Sequence, residues 1–391
     1  MRKNFFYLCA ALFALSSCTN EIIEEGFVDK SNAISFNSSA PKTRAYTAGD
    51  VDNTTKLQEG NFGVVGYSEG NLYLGATGKA AEQTYDDSNW KYVNADEIRY
   101  WPNNNMYFYA YFPYSETGDV FANSLPADNG TPVMTITNES GNQDVLFAST
   151  LNQPRVDRVD MKFHHAFSKI QGIEIQIQNK DVTVEVQKIE VIKTTTKGVV
   201  QVNKEGKASY GANNTTRLFD FTGSPVTINE ANTYNNGADL FQTLVQGTDN
   251  GYIFATNSAE ANFVTGTSTP LWDGTKTGLG GGTTLENLGQ VCLKLTCKVK
   301  TTPSTGEDYY HVGSTSDYGV MYIPISGSPI TDINPAAANK TALLAGKRYT
   351  YKIIMENNVG FDVNGNAILL PILFQTTTMD SWEDVTVTIT L

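Results

Sequence analysis

The residues best able to do chemistry in this chain are few: three histidines, four cysteines and scattered carboxylate pairs among 391 residues. His164 and His165 adjoin within Met161-Lys162-Phe163-His164-His165-Ala166-Phe167, where residue types alternate as on a strand, so the two rings point to opposite faces. One is then packed inside and the other solvated, which does not assemble a nucleophile with its base. Neither a Gly-x-Ser-x-Gly elbow at a strand-to-helix turn nor a zinc-protease helix is expected to serve them. Asp86-Asp87 lies in a polar stretch that reads as a solvated turn; a glycosidase would need two carboxyl groups held ~5 Å or ~6.5–9.5 Å apart. Asp362, Asn364 and Asn366 resemble the start of a calcium loop. The later bidentate glutamate is missing, and Asn364-Gly365 signals a tight hairpin instead. The glycine-rich run Gly278-Leu279-Gly280-Gly281-Gly282 is not set between strand and helix, and no Lys-Ser/Thr follows, so it reads as a surface loop. The chain is expected to be no enzyme, with no catalytic residue, metal or cofactor.

The cysteines divide in two. Arg2 and Lys3 precede an apolar run of eleven residues, Phe5 to Leu15, too short to span a bilayer. Leu15-Ser16-Ser17-Cys18 follows, and resembles the lipobox of bacterial lipoproteins, in which the chain is cut before a cysteine whose thiol takes lipid (palmitate among the acyl groups). Residues 1–17 are thus expected to be a signal peptide and Cys18 a lipid-bearing terminus. Glu21, Glu24 and Glu25 then form either a surface-sorting signal or a solvated tether. Cys292 and Cys297 sit at opposite phases of Val291-Cys292-Leu293-Lys294-Leu295-Thr296-Cys297-Lys298-Val299. They face opposite sides of a strand and are expected to be free thiols.

Removing the signal leaves 374 residues, enough for about two domains, and takes the formal net charge from −13 to −15. No basic stripe is present on which nucleic-acid binding could rest. Helical periodicity is nearly absent, the best candidate being 334–344. Strand alternation recurs in Phe62–Tyr67, Met106–Phe112, Ile170–Ile177, Val182–Ile192, Val291–Val299 and Tyr349–Met355. Threonine, tyrosine, asparagine and glycine complete the composition of an exported β-protein. The polar stretch 203–216 is the preferred domain boundary. The expected organisation is a tether and removable first strand (18–45), an N-terminal β-sandwich (46–207) and a C-terminal β-sandwich (208–391).

The order of these landmarks carries a resemblance. The lipobox at Cys18, Ile34-Ser35-Phe36, Thr43-Arg44-Ala45, Phe62-Gly63-Val64, Arg99-Tyr100-Trp101-Pro102 and the aromatic strand Tyr107 to Pro113 come first. Phe163-His164-His165-Ala166-Phe167-Ser168-Lys169-Ile170, Leu344-Ala345-Gly346-Lys347-Arg348-Tyr349-Thr350-Tyr351 and Trp382 complete the series. Together they resemble the Bacteroidales fimbrillin-like lipoproteins (Mfa-like and FimA-like), subunits of type V pili. The resemblance implies an all-β fold of two transthyretin-like sandwiches in tandem, an outer-membrane lipoprotein at the cell surface whose mature form joins a pilus (fimbrium), and a role in structure or cell adhesion. It also implies partners: other pilus subunits in a homo- or hetero-polymer, an arginine-specific extracellular protease, the outer membrane through the lipid, and a host or bacterial surface ligand.

The implied assembly is protease-triggered strand exchange. A cut at Arg44-Ala45 releases the first strand, in which Ile34 and Phe36 share one face, and a strand from a neighbour takes its place. The segment 41–45 is short, polar and broken by proline, as an exposed cleavage site should be. Asp384 to Leu391 puts Val385, Val387, Ile389 and Leu391 on one face, as either a donor strand or the closing strand of its own domain. The alternative reading is a monomeric glycan-binding surface lipoprotein using Trp90, Tyr92, Tyr100, Trp101 or Trp272; against it, most such aromatics pack cores, as expected for Trp101 and Trp382.

Overall fold

The computed structural model describes residues 32–40, 54–86, 88–116, 120–124, 133–138, 143–178, 181–194, 198–210, 215–229, 234–235, 238–239, 241–245, 252–254, 284–287, 291–302, 307–325, 343, 345–355, 360–366, 368, 373–378 and 383–390. The fold is all-β, as expected; the helical elements among the described residues are Thr54–Gln58 and the short 3-10 turns Ala95–Glu97 and Leu285–Asn287. Each strand read from alternation is present: Phe62–Ser68, Met106–Phe112, Phe167–Ile177, Val182–Thr194, Cys292–Thr301 and Lys347–Met355. The 334–344 helix candidate lies outside the described residues except Leu343.

A seven-stranded sheet runs in the order His164–His165, Leu146–Gln153, Met106–Phe112, Phe62–Ser68, Ala81–Asp86, Asn89–Tyr92, with Asn71–Leu74 added to Phe62–Ser68. Both of its faces are buried. Val65, Tyr67, Tyr109, Tyr111 and Phe147 pack with Met134, Ile136, Val200 and Val202 of a four-stranded sheet. The alternate residues Phe62, Val64, Phe108, Ala110 and Leu146 pack on the other face with Ile34, Phe36, Val159 and Met161. Cover on both faces explains the unbroken aromatic run Met106–Phe112: successive side chains point opposite ways, and neither direction leads to water.

A second core lies between two six-stranded sheets. One contains Phe167–Ile177, Lys347–Met355 and the last strand, Glu383–Thr390; the other is built on Val182–Thr194 and Cys292–Thr301. Val184, Val186, Ile189 and Val191 all face this core although 186 and 189 are out of phase. A bulge between Val186 and Lys188 absorbs the extra residue, so the alternation is interrupted there rather than clean.

The strands do not divide at residue 207 as the sequence suggests. Phe167–Ile177 and Val182–Thr194 join the second core, with residues 291 to 355, whereas Gly198–Val202 and Ala208–Tyr210 return to the four-stranded sheet over the first. The polar stretch after 202 is a turn, with Lys207 donating its N–H to Asn203 Oδ1 at 2.9 Å, that closes a hairpin within one sheet. Polarity marked a turn correctly; it did not mark which sheet the flanking strands enter.

Candidate functional site

The first strand, Phe36–Ser39, pairs in parallel with Val159–Lys162, the one strand partner it has among the described residues, forming a two-stranded ladder from Phe36 opposite Val159 to Ser39 opposite Lys162. Val159 N–H donates to Ser35 O at 2.8 Å and Phe163 N–H to Ser39 O at 2.9 Å. Ahead of the strand, Ile34 N–H donates to Arg99 O at 2.8 Å and Trp101 N–H to Asn32 O at 3.1 Å. The outward side chains make rim contacts: Ser35 Oγ donates to Asp157 O at 2.6 Å and Asn37 Nδ2 to Asp160 Oδ1 at 3.3 Å. The inward pair is fully covered, Ile34 at 0% exposure and Phe36 at 1%.

Phe36 stands edge-on to Phe108, with centroids 5.5 Å apart, and to Phe62 at 6.2 Å; its ring is tilted against Tyr92 at 6.3 Å. Phe62 in turn meets Trp90 at 4.6 Å and Phe163 at 5.4 Å, and Trp101 meets Phe108 at 5.9 Å. Aromatic pairs at these spacings favour the edge-to-face arrangement because ring edges are positive and faces negative. The floor beneath the first strand is therefore aromatic and built by three strands of the seven-stranded sheet together with Phe163 and Trp101 on its flanks. Removing residues 32–40 would bare it. Burial pushes the Tyr92 phenol up from its ordinary range; Arg99 opposes the shift and Glu97 adds to it.

Other site residues from the sequence fall as follows. Cys18, Arg44, Ala45, Leu391, Trp272 and Trp382 lie outside the described residues. Val385, Val387 and Ile389 belong to the last strand, which pairs in parallel with Lys347–Met355 and antiparallel with Leu373–Thr378. Trp90 is buried, Trp101 half-buried against the same floor, and Tyr100 exposed, its carbonyl accepting the Tyr73 hydroxyl at 2.7 Å.

The candidate chemistry does not converge. His165 is 4% exposed and its Nδ1 lies 2.9 Å from Asp144 Oδ1, a buried pair that ties two segments of the chain together. His164 is half-buried on the other face, its pKa lowered first by burial and then by His165 and Lys162. Gly66-Tyr67-Ser68-Glu69-Gly70 has the Gly-x-Ser-x-Gly spacing, but not the strand-to-helix setting of a nucleophile elbow. It forms the tight turn of a hairpin, with Ser68 paired to Asn71, and no helix follows. Asp362 Oδ1 accepts the N–H groups of Asn364 and Asn366 at 2.8 and 2.7 Å, and Oδ2 accepts Asn366 Nδ2 at 2.8 Å. That carboxylate closes its own turn. Asp86 pairs with Lys91 at 2.7 Å on the surface. Cys292 and Cys297 are free and buried, on opposite faces: Cys297 in the second core and Cys292 beside Ile192, Leu285 and Tyr322.

Residues 43–271 match the family model described as "Fimbrillin-like". The chain belongs to the fimbrillin-like family. Among solved structures it is similar to a fimbrial protein from Bacteroides vulgatus, at 14% identity and a TM-score of 0.48, covering 92% of this chain and 97% of that one. It is also similar to a fimbrilin from Porphyromonas gingivalis, at 11% identity and a TM-score of 0.36, covering 93% and 98%. No curated protein matches. Fimbrillin-like proteins are not a family of enzymes, in keeping with the scattered histidines and carboxylates of this chain. The match includes Arg44, Ala45 and the aromatic floor, and stops short of the last strand.

Proposed function

We propose that this fimbrillin-like protein is a structural or adhesive subunit of a cell-surface pilus, built in by exchange of its first strand for a strand of a neighbour. The supporting observation is Phe36. It is 1% exposed against an aromatic floor, yet among the described residues its strand is paired along one two-stranded ladder only. A segment that supplies core side chains but little sheet can be replaced by another strand that supplies both. In this reading the chain is exported as an outer-membrane lipoprotein through Cys18, and an arginine-specific protease cuts Arg44-Ala45. The cut removes the lipid and the first strand together, so release from the membrane and opening of the groove are one event. Val385, Val387, Ile389 and Leu391 are the candidate donor face toward the next subunit. The glycan-binding alternative rests chiefly on Trp272, and no described contact favours it.

Limited trypsin treatment of the folded protein tests the reading. Release of the segment before Ala45, followed by SDS-resistant ladders, is the expected outcome. A cut chain that keeps its N-terminal segment and stays monomeric would contradict it.

A further inference from the structure

The floor under the first strand is not wholly apolar. Phe62, Gln83 and Tyr92 stand in register on three adjacent strands, Phe62 opposite Gln83 and Gln83 opposite Tyr92, and therefore form one row on one face of the sheet. Phe36 lies against both ends of that row, Phe62 and Tyr92, and Gln83 stands in register between them. Gln83 is 1% exposed and its Oε1 has no hydrogen-bond partner among the described residues. The same is true of the Tyr92 hydroxyl and of Nε1 of Trp90, itself 6% exposed and packed against Phe62. A phenylalanine ring can offer none of them a partner. Buried polar groups are ordinarily satisfied, and orphans at Gln83 and Tyr92, in the row Phe36 packs against, with a third at Trp90 beside Phe62, single out Phe36 as a poor match for this part of the floor.

We infer that the groove is shaped for a strand of a different subunit, one that places glutamine or tyrosine where Phe36 now lies. This deepens the strand-exchange reading and rests on it. Glutamine and tyrosine have the reach of phenylalanine and end in groups that both donate and accept, so either can serve Gln83 Oε1 and the Tyr92 hydroxyl. The chain's own last strand does not qualify. Its apolar face is Val385, Val387, Ile389 and Leu391, which would leave the row unpaired as Phe36 does. Phe36 is then a placeholder: it holds the floor closed against water without saturating it, and the partner is distinguished from the placeholder by hydrogen bonds.

The test uses the full mature chain after proteolytic cutting, with fluorescent nine-residue peptides offered to it. One peptide carries the native sequence 383–391; others replace one inward residue by glutamine or tyrosine. At least one glutamine or tyrosine peptide should bind tenfold or more tightly than the native sequence. The preference should shrink to less than twofold in the Gln83→Leu/Tyr92→Phe double variant, whose thermal stability before cutting should equal or exceed that of the parent. Equal or tighter binding of the native sequence would overturn the inference while leaving strand exchange standing, as would a preference that survives in the double variant. Binding of no peptide at all, with the first strand retained after the cut, would remove strand exchange and this inference with it.

Discussion

Truncating Phe36 to alanine perturbs the floor most directly. The side chain is buried and touches three rings, Phe62, Tyr92 and Phe108. Loss of a buried phenylalanine costs about 3–5 kcal/mol when the cavity cannot collapse. Here the neighbours are themselves large aromatics fixed by sheet register, so the upper half of that range applies. Since each ~1.4 kcal/mol is a factor of ten, the first strand of Phe36→Ala should be held roughly 10³-fold or more less firmly than in the parent. Urea unfolding of the uncut protein, followed by tyrosine and tryptophan fluorescence, should show the loss as a lower midpoint. Mass spectrometry of the cut protein should show faster departure of the segment before Ala45. Ser35→Ala is the matched control. Its hydroxyl bond to Asp157 O lies at the exposed rim and should be worth about 1 kcal/mol or less. A midpoint for Phe36→Ala within experimental error of Ser35→Ala would refute the claim that the strand is held by its apolar face.

Three further outcomes follow from other parts of the structure. The folded state holds the pKa values of His164 and His311 below their ordinary 6.5, both chiefly through burial, so it binds fewer protons than the unfolded chain. Stability should therefore be full above pH ~6.5 and fall as the pH drops from there through the depressed folded values; His164→Asn should flatten part of that slope in pH-dependent thermal melts. Burial pushes both the Cys292 and Cys297 thiols up, and they face opposite sides of one strand. Neither should react with Ellman's reagent in the folded protein, both should react in denaturant, and mild oxidation should yield no disulfide within one chain. Gly313 has φ +74°, and a Cβ there would lie 2.6 Å from Asp317 O and 2.9 Å from Gly319 N, both backbone atoms. Gly313→Ala should cost roughly 1–3 kcal/mol, readable as a lower melting temperature.

Much of the fold was legible because burial imposes period two on a strand. Val182 to Ile192 and Val291 to Val299 announced themselves in this way, and even the broken phase at Gln187 was present in the sequence as two polar residues in succession. The aromatic run 106–112 was legible as a strand; that both of its faces are covered was a finding of the structure. Sheet membership was not legible, because alternation says which side of a strand is apolar and nothing about which strand lies next to it. Gly198–Val202 and Val182–Thr194 look alike, yet they enter different sheets. Ile34 and Phe36 could be read as one inward face, and they are the buried pair of the first strand. The row Phe62-Gln83-Tyr92 could not be found in advance. Its members are twenty-one and nine residues apart and meet only through the register of two antiparallel pairings. A glutamine between a charged residue and a threonine in Glu82-Gln83-Thr84 gives no hint that its amide will be buried between Phe62 and Tyr92.

The central claim is that the first strand leaves when the subunit is assembled. The most direct measurement is the N-terminal residue of the protein taken from intact pili on the cells that make it, determined by mass spectrometry of the terminal peptide. The account predicts Ala45, with residues 18–44 and the lipid absent from the assembled form. A polymer whose subunits still begin at a lipid-bearing Cys18, with Ile34 and Phe36 in place, would contradict it.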